Sequence, residues 1–194
     1  MKYGKGVHTA TWMALWGGSL LTLSCSGPGG QPAEQAKPAV MSQADRVARG
    51  EYLVKVIGCG DCHTPGSLAG APDMGRSMSG TEYGWVGPWG TTYGKNLTPD
   101  STGLAGWTED DIVRVLKAGT RKDGTPVRPP MPWGWFSNLS DEDAHAIGAY
   151  LLSLPPVRHA VPAALPPGAK AKGATIVIPQ PQPWDLPAKA TGQN

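Results

Sequence analysis

Three stretches of the chain carry apolar residues at helical spacing, and long runs between them carry none. The first follows Ser42, whose hydroxyl can cap a helix, and runs to Ile57, with Val47, Leu53, Val54 and Ile57 on one face. Gly50 in its middle is costly unless another element packs closely against it. The second begins at Thr108 with acids in its first turn, Glu109-Asp110-Asp111. Ile112, Val115 and Leu116 form its stripe, and Gly119 stops it. The third is capped by Ser140, presents Ile147, Tyr150, Leu151 and Leu154, and ends at Pro155-Pro156. Residues 64–107 are rich in Gly and Pro and without period, and such a loop is stable when it wraps something. Trp85, Trp89 and Trp107 lie in it as packed side chains, as walls for a bound group or as hydrogen-bond donors.

The two ends read differently. Residues 1–24 have a basic start (Lys2, Lys5, His8) and an apolar run too short to span a bilayer, the pattern of an export signal. Ser24-Cys25 at its end is similar to a lipoprotein processing site, with Cys25 as the lipidated residue; plain cleavage nearby is the alternative. Ser26 at the next position, in place of an acidic retention residue, favours the outer membrane over the cytoplasmic one. Residues 25–41 read as a flexible tether. Residues 158–194 form a Pro/Ala-rich tail, extended and lying on the domain or on a partner, with one β-like run at Thr175–Ile178.

Composition narrows the classes. At 194 residues there is room for one modest domain with extensions, and Gly (27) with Pro (20) makes nearly a quarter of it loop or tail. Residues 42–157 hold ten Lys/Arg against thirteen Asp/Glu, so no basic stripe is available for nucleic acid, and that class is excluded.

The chemistry concentrates in Cys59-Gly60-Asp61-Cys62-His63. Two cysteines two residues apart with histidine directly after is the attachment signature of c-type haem. Each thiol adds to one porphyrin vinyl group, and the histidine lies under the iron as its proximal ligand. A zinc half-site would need a second ligand pair, and a thioredoxin-like pair would need a βαβ pattern; neither is visible. A covalent haem also enlarges a small core, because the porphyrin is itself a large apolar body.

Whether the sixth iron position is filled separates an electron carrier from a ligand-binding or redox enzyme. Met131 stands among Pro129, Pro130 and Pro132, where restricted backbone freedom would hold a thioether against iron. Met74 and Met78 stand as alternatives, His145 reads as a solvated helix residue, and His159 lies beyond the terminating prolines.

The CGDCH motif at 59–63, Asn96-Leu97-Thr98-Pro99-Asp100, Pro130-Met131-Pro132 and Leu139-Ser140-Asp141-Glu142-Asp143 with Tyr150-Leu151 resemble a class I c-type cytochrome. The likeness is to the haem domains of membrane-associated cytochrome subunits of bacterial dehydrogenases and respiratory complexes. It covers residues 42–157. It implies an all-α fold with first and last helices crossing around one covalently bound haem, between long loops and extended tails. Gly50 would meet Tyr150 at that crossing, and His63 and Met131 would be the axial ligands.

The expected role is therefore one-electron transfer on the periplasmic side, by a lipid-anchored carrier or a fixed subunit of a larger oxidoreductase, rather than catalysis. A haem enzyme with an open iron site is the weaker reading. Partners would be a dehydrogenase, a quinol-oxidising complex or a terminal oxidase. Lys117, Arg121, Lys122 and Arg128, clustered before Met131, are expected to steer an acidic partner towards the haem face.

Overall fold

The computed structural model describes residues 41–179. The three expected helices form where the caps lie. Helix α1 spans Gln43–Val56, and Ser42 Oγ accepts from the Asp45 amide at 3.1 Å. Helix α2 is the single turn Cys59–His63. Helix α3, Glu109–Ala118, carries a reciprocal cap: Asp111 N–H donates to Thr108 Oγ1 (3.2 Å) and Thr108 N–H to Asp111 Oδ2 (3.0 Å). Helix α4 is another single turn, Trp133–Phe136, and α5 runs over Asp141–Ser153 with Ser140 as its cap.

Helices α1 and α5 make the most extensive helix pair, and α3 packs on α5 from another side. A Cβ at Gly50 would stand 1.9 Å from the Ala146 carbonyl oxygen and 2.8 Å from Tyr150 Cβ. The absence of a side chain is what lets the two backbones approach, as the Gly50–Tyr150 expectation required. Leu53, Val54, Ile112, Leu116, Ala144, Ile147 and Leu151 form the shared core. Arg49 clamps α1 to α5 by two bonds to Asp143 (2.8 and 3.1 Å), and Arg46 reaches Glu109 of α3 at 2.5 Å. Such partly exposed pairs are screened by solvent and weak, so packing decides the arrangement. Among the described residues no helix is long and apolar enough to cross a membrane.

The all-α expectation needs a correction, because a small sheet completes the helical domain. Strands β1 (Gly84–Gly87) and β2 (Gly90–Tyr93) form an antiparallel hairpin, and β3 (Thr175–Val177) pairs parallel to β1, in the order β2-β1-β3. Glycines hide the hairpin in the sequence, yet they make room for aromatic rings: a Cβ at Gly87 would clash with the Trp89 ring, 2.4–2.6 Å from its carbons.

The segment after α5 is laid along the domain. Val157 N–H donates to Thr98 Oγ1 at 3.1 Å, and His159 N–H to Thr102 Oγ1 at 3.0 Å. His159 Nδ1 lies 2.9 Å from the Ser79 carbonyl, and its Nε2 lies 2.8 Å from Glu82. Leu165 and Thr91 exchange backbone bonds of 3.0 and 2.9 Å, and β3 follows.

Candidate cofactor site

The CGDCH turn is entered through Gly58 in the left-handed conformation (φ 72°), which reverses the chain out of α1 without a Cβ clash. One turn of helix then sets Cys59, Cys62 and His63 at i, i+3 and i+4, on one face. The end of β2 presses against this turn. A Cβ at Gly94 would come within 1.8 Å of the Cys62 carbonyl oxygen, so only glycine permits the approach. The approach delivers the next residue's carbonyl to the histidine: His63 Nδ1 is 2.7 Å from Lys95 O. A carbonyl can only accept, so Nδ1 carries the proton and Nε2 keeps the lone pair that a metal needs.

Electrostatics agree with that assignment. Burial holds the His63 pKa below its ordinary value, against the opposing bond to Lys95, and the neutral ring is the ligating form. Burial pushes the Cys59 thiol up to about 11 and raises Cys62 as well. A thioredoxin-like pair needs the opposite, a depressed thiol pKa. Among the described residues no three His, Cys, Asp or Glu side chains gather as a metal-binding group, which leaves the zinc reading without its second half.

Cys59, Cys62 and His63 line a cavity of about 420 Å³. Its walls are apolar, with Leu97, Leu104, Trp107, Ile112, Leu116 and Leu151 among them, and Trp85 also lines it. Trp89 does not; its ring covers Gly87 instead. Met131 lines the same cavity between Pro130 and Pro132. Its loop is tied to the hairpin by Thr92 Oγ1 donating to Pro129 O (2.7 Å) and Arg128 Nη1 donating to Trp89 O (2.8 Å).

The other iron-ligand candidates lie elsewhere. Met74 is 69% exposed, and Met78 is buried in the protein core at φ 62°; neither lines the cavity. His145 bonds to Asp141 and Asp110, and His159 is held by Ser79 and Glu82. Cys25, with His8, Met1 and Met13, falls outside the described residues.

Three cations, Lys95, Arg121 and Arg128, line the cavity, and no carboxylate does. An apolar slot with two thiols, a histidine with a free nitrogen and a thioether suits a covalently held haem, and cations suit its two propionates. The cavity therefore fits the group that the motif implies.

The basic cluster expected to steer a partner is divided by this geometry. Lys117 pairs with Asp141, and Lys122 pairs with Asp111 (3.0 Å) and donates to Gly106 O (2.6 Å). Arg121 and Arg128 turn to the cavity. Sequence reasoning missed that role, and it missed Gly94 and Lys95. Nothing in local spacing signals a contact between residues 63 and 95.

Comparison with known proteins follows the same line. The chain is 39% identical over 107 residues to the cytochrome c subunit of a quinone-type alcohol dehydrogenase from Gluconobacter oxydans, covering 55% of this chain and 21% of that protein. It is 29% identical over 136 residues to the fructose dehydrogenase cytochrome subunit of Gluconobacter japonicus, covering 70% and 26%. It is 36% identical over 107 residues to the gluconate 2-dehydrogenase cytochrome c subunit of Pantoea cypripedii, covering 55% and 22%. The chain thus spans only about a fifth to a quarter of these relatives' length. The family model for cytochrome c matches residues 47–155, more than half of the chain, a span that includes Cys59, Cys62, His63 and Met131. This chain belongs to the cytochrome c family, carries covalently bound haem c and serves in electron transfer.

Proposed function

We propose that the chain passes single electrons from a dehydrogenase towards the respiratory chain, as a cytochrome subunit anchored through a lipid on Cys25 at the periplasmic face. The observation that carries this reading is that one and the same cavity gathers Cys59, Cys62, His63 and Met131. One haem is expected, because the chain holds one CxxCH motif. When bound, its iron supplies a one-electron couple between Fe(II) and Fe(III).

The protein's part is to bind and orient. Cys59 and Cys62 would hold the ring by thioether bonds, and His63 and Met131 would ligate its iron. Lys95 O keeps the imidazole in one tautomer and strengthens it as a donor. The apolar walls exclude water. With His63 and Met131 both retained as ligands, little would rearrange on electron transfer, and no opening would be left for a substrate. The soft thioether of Met131 would raise the reduction potential. A fixed subunit is favoured over a mobile carrier because the relatives named above are subunits of dehydrogenases. Downstream, a quinol-oxidising complex or a terminal oxidase would accept the electron.

Met131→Ala tests the ligand set. The haem should remain attached, the weak ferric iron–thioether band should vanish, and the potential should fall. A variant with unaltered spectrum and potential would remove Met131 from the iron. Purification from native membranes, with and without Cys25→Ser, tests the rest. Release of the Cys25→Ser chain and copurification of the wild type with a dehydrogenase are the expected results.

A further inference from the structure

Beside the haem cavity lies a second recess of about 410 Å³, and the two share Thr92, Arg121 and Arg128. Its far wall comes from the tail, at Ala164–Pro167. The tail is outside the family match, which ends at residue 155. It is nonetheless pinned here, because Leu165 exchanges two backbone bonds with Thr91. The approach is close enough that a Cβ at Gly90 would meet Leu165 O at 2.1 Å.

The two arginines are not used up. Arg128 spends one N–H on Trp89 O, and neither guanidinium forms an ion pair with a carboxylate among the described residues. Asp123 is the one acid on the recess wall, and its oxygen is engaged by the Thr125 amide (2.9 Å) and hydroxyl (2.6 Å). Two guanidinium groups without an ion pair at the mouth of an apolar slot, Arg121 half-buried and Arg128 exposed, are placed to bond an anion that reaches out of the slot.

We propose that Arg121 and Arg128 clamp the haem propionates and that tail residues 164–167 close over them, which makes the tail a working wall of the haem site. This rests on the haem reading above. The charged groups that face the clamp are Lys95, Arg121, Arg128 and Asp123; the tail segment contributes none.

The sign of the effect follows from charge. The ferric site carries one more positive charge than the ferrous, so a propionate stabilises the ferric form and an arginine opposite it offsets this. Removing one arginine lowers the potential. It also raises the propionate pKa, because the charged form loses its partner. A potential that is flat with pH in the wild type should then fall as pH rises through the range where the freed propionate ionises.

The test is spectroelectrochemistry of the full-length, haem-loaded chain across pH, with Arg121→Gln, Arg128→Gln and the charge-retaining Arg121→Lys and Arg128→Lys. The Gln variants should shift to lower potential and acquire a pH slope, and the Lys variants should restore both. In parallel, carbodiimide coupling of the propionates, read as mass on the haem peptide, should run severalfold faster in Leu165→Pro, which cannot donate to Thr91. If the Gln variants load haem poorly, recovery of loading by Lys supports the clamp, and failure of Lys to recover it overturns it. Wild-type potentials and slopes in the Gln variants would overturn it too, as would equal coupling rates with and without Leu165→Pro. In that case the arginines serve an outside partner. A wild-type chain without covalent haem on a stained gel would instead overturn the haem reading itself.

Discussion

Gly50→Ala is the substitution whose usual effect this fold should reverse. In an exposed helix, alanine for glycine stabilises by about 1 kcal/mol. At position 50 the new methyl would sit 1.9 Å from the Ala146 carbonyl oxygen and 2.8 Å from Tyr150 Cβ, where ordinary contact begins at 3.4 Å. Both neighbours belong to α5, and a backbone oxygen cannot rotate aside. Helix α1 must therefore move off by roughly 1.5 Å, which opens gaps along the buried Leu53–Val54 face. Overpacking of this kind costs about 1–3 kcal/mol, and the rigid neighbour puts the site at the upper end. Setting the propensity gain against it leaves a net loss of about 2 kcal/mol. That corresponds to a fall in Tm of about 5–10 °C for a domain of this size. Guanidinium unfolding of the haem-loaded protein, followed by far-ultraviolet circular dichroism, should show a lower midpoint with an unchanged slope. Gly134→Ala in α4 is the control, since its Cβ would meet nothing within 4 Å. A Gly50→Ala protein as stable as the wild type would refute the close crossing.

Two further outcomes concern polar groups. Asn96 is buried; it accepts from Thr98 N–H (2.9 Å) and Oγ1 (2.8 Å) and donates to Thr102 Oγ1 (3.0 Å) and Val157 O (2.8 Å). Asn96→Ala should cost about 2–4 kcal/mol in denaturant unfolding by orphaning the Thr98 amide and weakening the hold on Val157, and a loss under about 1 kcal/mol would contradict this. His145 donates from Nδ1 to Asp141 O (2.7 Å) and from Nε2 to Asp110 (3.0 Å), and these bonds raise its pKa above the ordinary 6.5. The folded state therefore binds this proton more tightly, so the contribution is full below about 6.5 and fades as pH rises through the folded pKa. Unfolding midpoints across that window should flatten in His145→Gln, and an unchanged pH slope would refute the assignment.

What could be read ahead of the structure was local. Thr108 and Asp111 cap each other across one turn, Gly119 stops the same helix, and Cys59, Cys62 and His63 share one turn of α2. Each signal sits within a few residues of its effect, so spacing alone carries it. The place of Met131 on the cavity wall was legible for a related reason, since its flanking prolines restrict the backbone whatever the rest of the chain does. The hairpin was not legible. Its strands are four residues each, interrupted by glycine, and the support for β1 arrives from Thr175–Val177 at the far end of the chain.

The same division runs through the site, and it follows the chemistry. The residues proposed to bond the ring edge and the iron are held by short motifs, because a covalent or coordinate bond demands particular atoms at fixed spacing. Groups that tune the iron demand only charge or a carbonyl at the right distance, and any element the fold brings near can supply it. Lys95 O reaches His63 from β2's exit, Arg121 and Arg128 arrive from the loop after α3, and the wall beside them comes from the tail. Arg121 read as a surface charge because proximity to Met131 along the chain cannot tell a cation that faces the slot from one that faces water. The cofactor's type is therefore written locally, while the charges and carbonyl around its cavity come from contacts between distant segments. If Arg121 and Arg128 clamp the propionates as proposed, two chains with the same CxxCH and the same cavity-lining methionine would differ in potential through a tail that lies outside the family match.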